Sequence, residues 1–200
     1  MGWLELGNDP EAKQIIHPSG VDIEQYNKSG LGNATTIQQF ITQPYKVMEY
    51  GCGTGRILRH IKDCKKVGVD IVPEFIEECK SEGIDAHLIK DYNFNGDCDI
   101  IFAITVFIHL SKKDAMIALE NIYKGLKVGG LALLQMPIYD KDKEPNEWFD
   151  VGVWSEKSLR EACDKVGFEV DTLYFNTGEF DFITNIGEHH DSTHILRKRK

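Results

Sequence analysis

The chain has 200 residues, enough for one domain with a full core or for one domain with a small appendage. Its 42% hydrophobic content excludes global disorder, and a net charge of −9, from 23 basic and 32 acidic residues, argues against a broad nucleic-acid-binding surface. Cys52, Cys64, Cys79, Cys98 and Cys163 include no C-x-x-C pair, and there is neither a signal peptide nor an apolar run of ~18 residues, so a reduced cytoplasmic chain without a membrane span is expected. The basic run from Arg197 to Lys200 reads as a solvated tail.

Residues 1 to 45 carry turn signals at Gly7-Asn8-Asp9-Pro10, His17-Pro18-Ser19-Gly20, Ser29-Gly30 and Gly32-Asn33. A short helix is expected over Thr35 to Ile41, with Ile37, Phe40 and Ile41 inward and Pro44 beyond its end. The stretch KVMEYGCGTGRILRHI, Lys46 to Ile61, then reads as strand, glycine turn and helix, with Ile57, Leu58, Ile61 and Cys64 on one helical face. Glycine suits such a turn because it tolerates φ > 0 and lets backbone approach a ligand. The dinucleotide fingerprint G-x-G-x-x-G/A fails in both registers, since its third position falls on Arg56 counted from Gly51 and on Leu58 counted from Gly53. What stands here is E-x-G-x-G-x-G, and it resembles motif I of class I, Rossmann-like, S-adenosylmethionine-dependent methyltransferases.

The resemblance implies cofactor contacts from Glu49, Gly51, Cys52, Gly53, Gly55 and Arg56, and makes residues 1 to 45 a lid or a packing segment ahead of a methyltransferase domain spanning 46 to 200. Lys66 to Asp70 reads as a strand and Pro73 opens a helix with Phe75, Ile76 and Cys79 on one face and Gly83 as its stop. Asp70 lies about 20 residues past the glycine turn, the distance at which a carboxylate reaches ribose hydroxyls; the alternative is a helix-capping Asp. Ala86 to Ile89 is the third strand. Asp91 resembles the family's acceptor for the adenine amino group, with the backbone N–H of Tyr92 facing a ring nitrogen and Ile71 flanking the ring; a solvated turn acid is the competing reading.

Asp99 to Leu110 is the most apolar stretch, as expected of a central parallel strand buried on both faces. By resemblance it is motif IV, with Ala103 and Ile104 on the cofactor side and Phe107 and His109 near the acceptor pocket, although a buried packing histidine is the preferred reading of His109. Ser111 starts a helix with Ala115, Leu119, Ile122, Tyr123 and Leu126 at helical spacing, and the string L-K-V-G-G leads into a strand from Leu131 to Gln135. The long aromatic connection Met136 to Trp154 leaves the strand edge where open α/β sheets bind ligands, so Tyr139 and Trp148 are expected as pocket walls; the competing reading is a surface loop whose aromatics pin it to the core. Ser155 caps another helix, with Leu159, Ala162, Cys163 and Val166 inward and Gly167 as its stop, and Phe168 to Phe175 is a strand. Thr193 to Arg197 is expected as the last strand, antiparallel and beside the sixth. The resemblance then implies a three-layer α-β-α sandwich around a seven-stranded, mostly parallel sheet.

His189, His190 and His194 match no zinc spacing, and no metal is expected. The implied chemistry is in-line displacement of the sulfonium methyl by a nucleophile, in which alignment and exclusion of water matter more than any single catalytic side chain. The absence of an N-P-P-Y string and the acidic balance disfavour a nucleic-acid acceptor, leaving a small-molecule acceptor first and a protein side chain second. A non-catalytic cofactor-binding partner or sensor and an aminopropyl transferase of the same fold are the alternatives; the latter usually carries paired acids where this chain has Thr105 and Val106.

Overall fold

The computed structural model describes residues 2–9, 23–146, 152–175 and 190–200. Seven strands form one mixed sheet: β1 (Lys46–Tyr50), β2 (Lys65–Asp70), β3 (Asp85–Leu88), β4 (Cys98–Ala103), β5 (Leu126–Ile138), β6 (Phe168–Phe175) and β7 (His190–Lys198), in the order β3-β2-β1-β4-β5-β7-β6. The chain divides into two compact units, Met1–Tyr92 and Asn93–Lys200.

In the first unit β1, β2 and β3 are parallel neighbours, with Tyr50 paired to Val69 and Asp70 to Leu88. Their carboxyl ends therefore lie along one edge. The unit also holds helices α1 (Trp3–Leu6), α2 (Ile23–Gln38) and α3 (Pro73–Ser81). Helix α3 begins with proline, whose missing N–H costs nothing in the first turn, and it buries Phe75, Ile76 and Cys79 as their spacing predicts.

Two expectations change. Of the helix predicted over Thr35 to Ile41, Thr35 to Gln38 forms the end of the longer α2, which runs through Ser29-Gly30 and Gly32-Asn33, while Gln39 to Ile41 lie beyond it. Gly30 is tolerated there because a Cβ would stand 2.3 Å from the Arg56 carbonyl oxygen; close approach outweighs helix propensity. The helix predicted after the glycine turn shrinks to a single 3-10 turn, Leu58–His60. Asp63 turns the chain with φ 56 and β2 already starts at Lys65, so no length remains for a full helix. Ile57, Leu58 and Ile61 are nonetheless buried, as the apolar spacing required.

In the second unit β4 and β5 are parallel, while β7 lies antiparallel between β5 and β6. Helix α4 (Lys112–Gly125) is capped by Ser111, whose hydroxyl accepts the Asp114 N–H. Helix α5 (Glu156–Val166) is capped by Ser155 and ends at Gly167 with φ 105, a left-handed conformation natural to glycine. Strand β5 is longer than its apolar core, running to Ile138, because the chain that follows folds back along it. Tyr139 N–H donates to Trp154 O at 2.9 Å and Trp154 N–H to Pro137 O at 3.1 Å.

Candidate functional site

The first unit builds a glycine loop on the edge formed by its three parallel strands. Gly51, Gly53 and Gly55 take φ values of 74, 52 and 78, which a side chain would strain. The turn is anchored to β2: the N–H groups of Gly51 and Cys52 donate to Val69 O at 2.8 and 3.0 Å. Gly55 is fixed further by packing, since a Cβ there would meet Ile84 at 2.6 Å and the Cys79 sulfur at 3.2 Å. Beneath the loop, the Cys79 thiol donates to Gly53 O at 3.3 Å and lies 4.0 Å from the Cys52 sulfur. Above it, Arg59 holds two loop carbonyls, donating to Thr54 O at 2.9 Å and to Gly55 O at 3.3 Å.

Asp70 ends β2 almost fully buried, and both its oxygens are engaged by backbone: Gly53 N–H donates to Oδ2 at 2.8 Å and Val72 N–H to Oδ1 at 3.0 Å. Burial pushes its carboxyl up, and the backbone donors at Val72, Gly53 and Ile71 pull in the opposite direction. A carboxylate offers about four acceptor sites, so these bonds leave room for a ligand hydroxyl. Asp70 thus ties the glycine loop to the start of α3, a role that spacing alone did not reveal. Ile71 beside it is 47% exposed, an apolar surface on the same edge.

Glu49 lies in β1 with its side chain buried. The Leu58 N–H reaches its carboxylate, while Oε2 has no hydrogen-bond partner among the described residues. Burial pushes this carboxyl well above the ordinary glutamate range, and the nearby Arg56 guanidinium pulls it down only in part. A buried carboxylate oxygen without a donor is costly unless a donor or cation arrives. Arg56 donates to Ser29 Oγ at 2.9 Å and stands over the Tyr26 ring at 5.8 Å.

Asp91 closes a 3-10 turn after β3 and is exposed on the same edge. The neighbouring Tyr92 is oriented differently from the expectation. Its N–H donates within the turn, to Leu88 O at 3.1 Å, and its phenol receives Lys46 Nζ at 3.2 Å with the His87 ring 5.3 Å away.

In the second unit, β4 ends at Ala103, and Ala103 and Ile104 are both buried. Thr105 then takes φ 58, an outlier for a β-branched residue. Its N–H donates to Gln135 Oε1 at 2.8 Å, and its hydroxyl to Ile104 O at 2.7 Å. Phe107 is wholly buried and acts as core, whereas His109 is half-buried. Tyr139 is 40% exposed, and Trp148 lies outside the described residues. The connection carrying them is clamped at its base by Asp142, which pairs with Lys112, accepts from the Ser158 hydroxyl and accepts from Ser155 N–H at 2.6 Å. Partial burial pushes the Asp142 carboxyl up, but the Lys112, Ser158 and Ser155 donors outweigh it and hold the group below the usual carboxylate range.

Glu49, the glycine loop, Asp70, Ile71 and Asp91 therefore share one edge of one unit. Sequence reading missed Tyr26, Ser29 and Thr54. Tyr26 and Thr54, each 1% exposed, share a hydrogen bond, and Ser29 receives Arg56. A signal existed, because Tyr26, Gly30, Asn33 and Ile37 recur at helical spacing and all are buried; their mixed polarity hid it from a search for apolar stripes. Among the described residues no group of His, Cys, Asp and Glu could hold a metal, and no helix is long and apolar enough to cross a membrane.

Comparison with known proteins gives the same direction. A profile of a methyltransferase-domain family matches residues 24–173. Carboxy-S-adenosyl-L-methionine synthase of Shewanella sediminis is 28% identical over 122 residues, 52% of this chain and 49% of that protein. The chain thus spans about half the length of the curated relatives it matches. Among solved structures, the 1,6-didemethyltoxoflavin-N1-methyltransferase of Burkholderia thailandensis, with 1,6-didemethyltoxoflavin and S-adenosylhomocysteine bound, has a TM-score of 0.67 at 15% identity, covering 92% of this chain and 84% of that one. Magnesium protoporphyrin IX methyltransferase of Synechocystis PCC 6803 has a TM-score of 0.65 at 12% identity, covering 96% and 95%. At such identities these structures establish the fold alone.

Proposed function

Since the chain belongs to the methyltransferase-domain family, we propose that it moves the methyl group of S-adenosylmethionine to a nucleophilic atom of a small-molecule acceptor. The observation that carries this reading is the Glu49-to-Gly55 loop with its three left-handed glycines, closed by Asp70 and sharing an edge with Asp91. The residues suit the cofactor. The unpartnered, buried Glu49 oxygen fits a cationic methionine end, Asp70 retains acceptor capacity for ribose hydroxyls, and exposed Ile71 offers an apolar face to a purine.

When bound, the cofactor supplies an activated methyl on a sulfonium, so the acceptor has only to attack in line. The chain's work is then positional: the bare glycine backbone permits close approach, Asp70 fixes the loop, and Glu49 balances positive charge. Residues 1 to 45 are, on this reading, a lid or a packing segment ahead of the methyltransferase domain. A net charge of −9 and the small-molecule ligand of a protein of related fold support a small acceptor over a nucleic acid.

Calorimetric titration with S-adenosylmethionine and S-adenosylhomocysteine tests the first step, and a screen of small nucleophiles with mass detection of methylated product tests the second. No heat with either cofactor form would overturn the reading. A second reading follows from the similarity to carboxy-S-adenosyl-L-methionine synthases: this chain would alter the cofactor instead of donating its methyl. A cofactor that gains mass on incubation together with a carboxyl donor would favour it, whereas an unaltered cofactor under those conditions and a methylated acceptor favour the first.

A further inference from the structure

We propose that Tyr26 of α2 and Thr54 of the glycine loop form a positioning pair that sets the loop's shape and, through it, the affinity for the cofactor; this rests on the S-adenosylmethionine reading above. Helix α2 would then be a fixed wall of the glycine loop.

The geometry is specific. Tyr26 and Thr54 are each 1% exposed, and their hydroxyls share a hydrogen bond across 28 residues of sequence. Thr54 sits between Gly53 and Gly55, both at positive φ, where the backbone has the least intrinsic preference for one shape. Its side chain is therefore a handle on an otherwise soft turn, and Tyr26 holds that handle. Further contacts of Arg56, which follows the loop, hold α2 against it. Arg56 Nη1 donates to Ser29 Oγ at 2.9 Å, and Ser29 in turn donates to Tyr26 O at 2.8 Å. The Arg56 guanidinium covers the Tyr26 ring, and Gly30 lets its carbonyl close against the helix. Burial pushes the Tyr26 phenol up to about 12, which keeps its hydroxyl protonated at neutral pH.

Alternative anchors do not replace this one. Arg59 holds the carbonyls of Thr54 and Gly55, and Asp70 holds the Gly53 N–H; neither constrains the Thr54 side chain. Removing either hydroxyl breaks the bond between helix and loop in a buried setting, which frees the Thr54 side chain to let the loop shift.

The test uses the full chain, with S-adenosylhomocysteine titrated calorimetrically well below every variant's melting temperature. Tyr26→Phe and Thr54→Val should each weaken binding about tenfold, the double variant should be no weaker than either single one, and Thr54→Ser should recover most of what Thr54→Val loses. Tyr26→Phe that melts lower but binds with unchanged affinity would show a purely structural contact and overturn the inference while leaving the cofactor reading intact. Additive losses in the double variant would also overturn the pairing. A wild-type chain that does not bind S-adenosylhomocysteine would overturn the cofactor reading, and this inference with it.

Discussion

Replacing Asp70 separates two jobs that one carboxylate performs. In the structure it accepts Gly53 N–H at 2.8 Å and Val72 N–H at 3.0 Å in a nearly buried setting. Asp70→Ala leaves two backbone donors without their acceptor, each worth about 1–3 kcal/mol. Removing a carboxylate whose charge burial disfavours returns part of this. We expect a net loss of about 2 kcal/mol, or a melting temperature lower by ~4–8 °C for a chain of this size. Loss of charge-assisted bonds to ribose, together with a looser loop, removes about 3 kcal/mol of binding, close to 100-fold in affinity. Asp70→Asn keeps one acceptor oxygen and should lose about half of each quantity in free energy. Thermal denaturation and calorimetry with S-adenosylhomocysteine measure the two effects separately. Affinity within twofold of wild type in Asp70→Ala would refute the ribose assignment, and an unchanged melting temperature would refute the loop tie.

Glu49 gives a pH prediction. Its folded acid form is favoured by burial, with Arg56 opposing only in part, so its contribution to stability is full below the ordinary 4.5 and is lost as pH rises through the higher folded value. Glu49→Gln, which cannot ionise, should therefore melt progressively higher than wild type as pH is raised from about 4.5 to 8, while binding S-adenosylmethionine more weakly. Parallel melting curves across that range would contradict the burial argument. In the second unit, Gln135→Leu should cost about 2 kcal/mol by stripping the acceptor from the Thr105 N–H. Thr105→Gly should cost less than ~1 kcal/mol, since glycine adopts φ 58 without strain. Denaturant titration ranks the two, and the reverse order would remove Gln135 as the support of that turn.

Much of the architecture was legible in the residues because it is local. The strands β1 and β2, the amino end of β4, the Pro73 start of α3, the Ser111 and Ser155 caps and the Gly167 stop all follow from apolar period and terminus chemistry, and the structure places them within a few residues of expectation, although β4 stops at Ala103, short of the apolar run to Leu110. The E-x-G-x-G-x-G spacing likewise located the turn whose glycines take positive φ. The order of the sheet, with β7 between β5 and β6, came from resemblance, since a period of two reveals a strand's faces and not its neighbours.

What the sequence by itself determined was therefore the alternation of strands and helices, the glycine loop, and an acid at or just past the end of each of the first three strands, Glu49, Asp70 and Asp91. Only the tertiary structure decided that α2 runs through its glycines, that no long helix follows the loop, that Tyr92 turns toward Lys46, and that Tyr26 grips Thr54. Each of these depends on groups far apart in the chain: a carbonyl that requires Gly30, a strand that begins too soon, a buried hydroxyl that needs a partner. Local periodicity shows which face of an element is apolar, whereas hydrogen-bond satisfaction and close approach are settled by what arrives opposite that face.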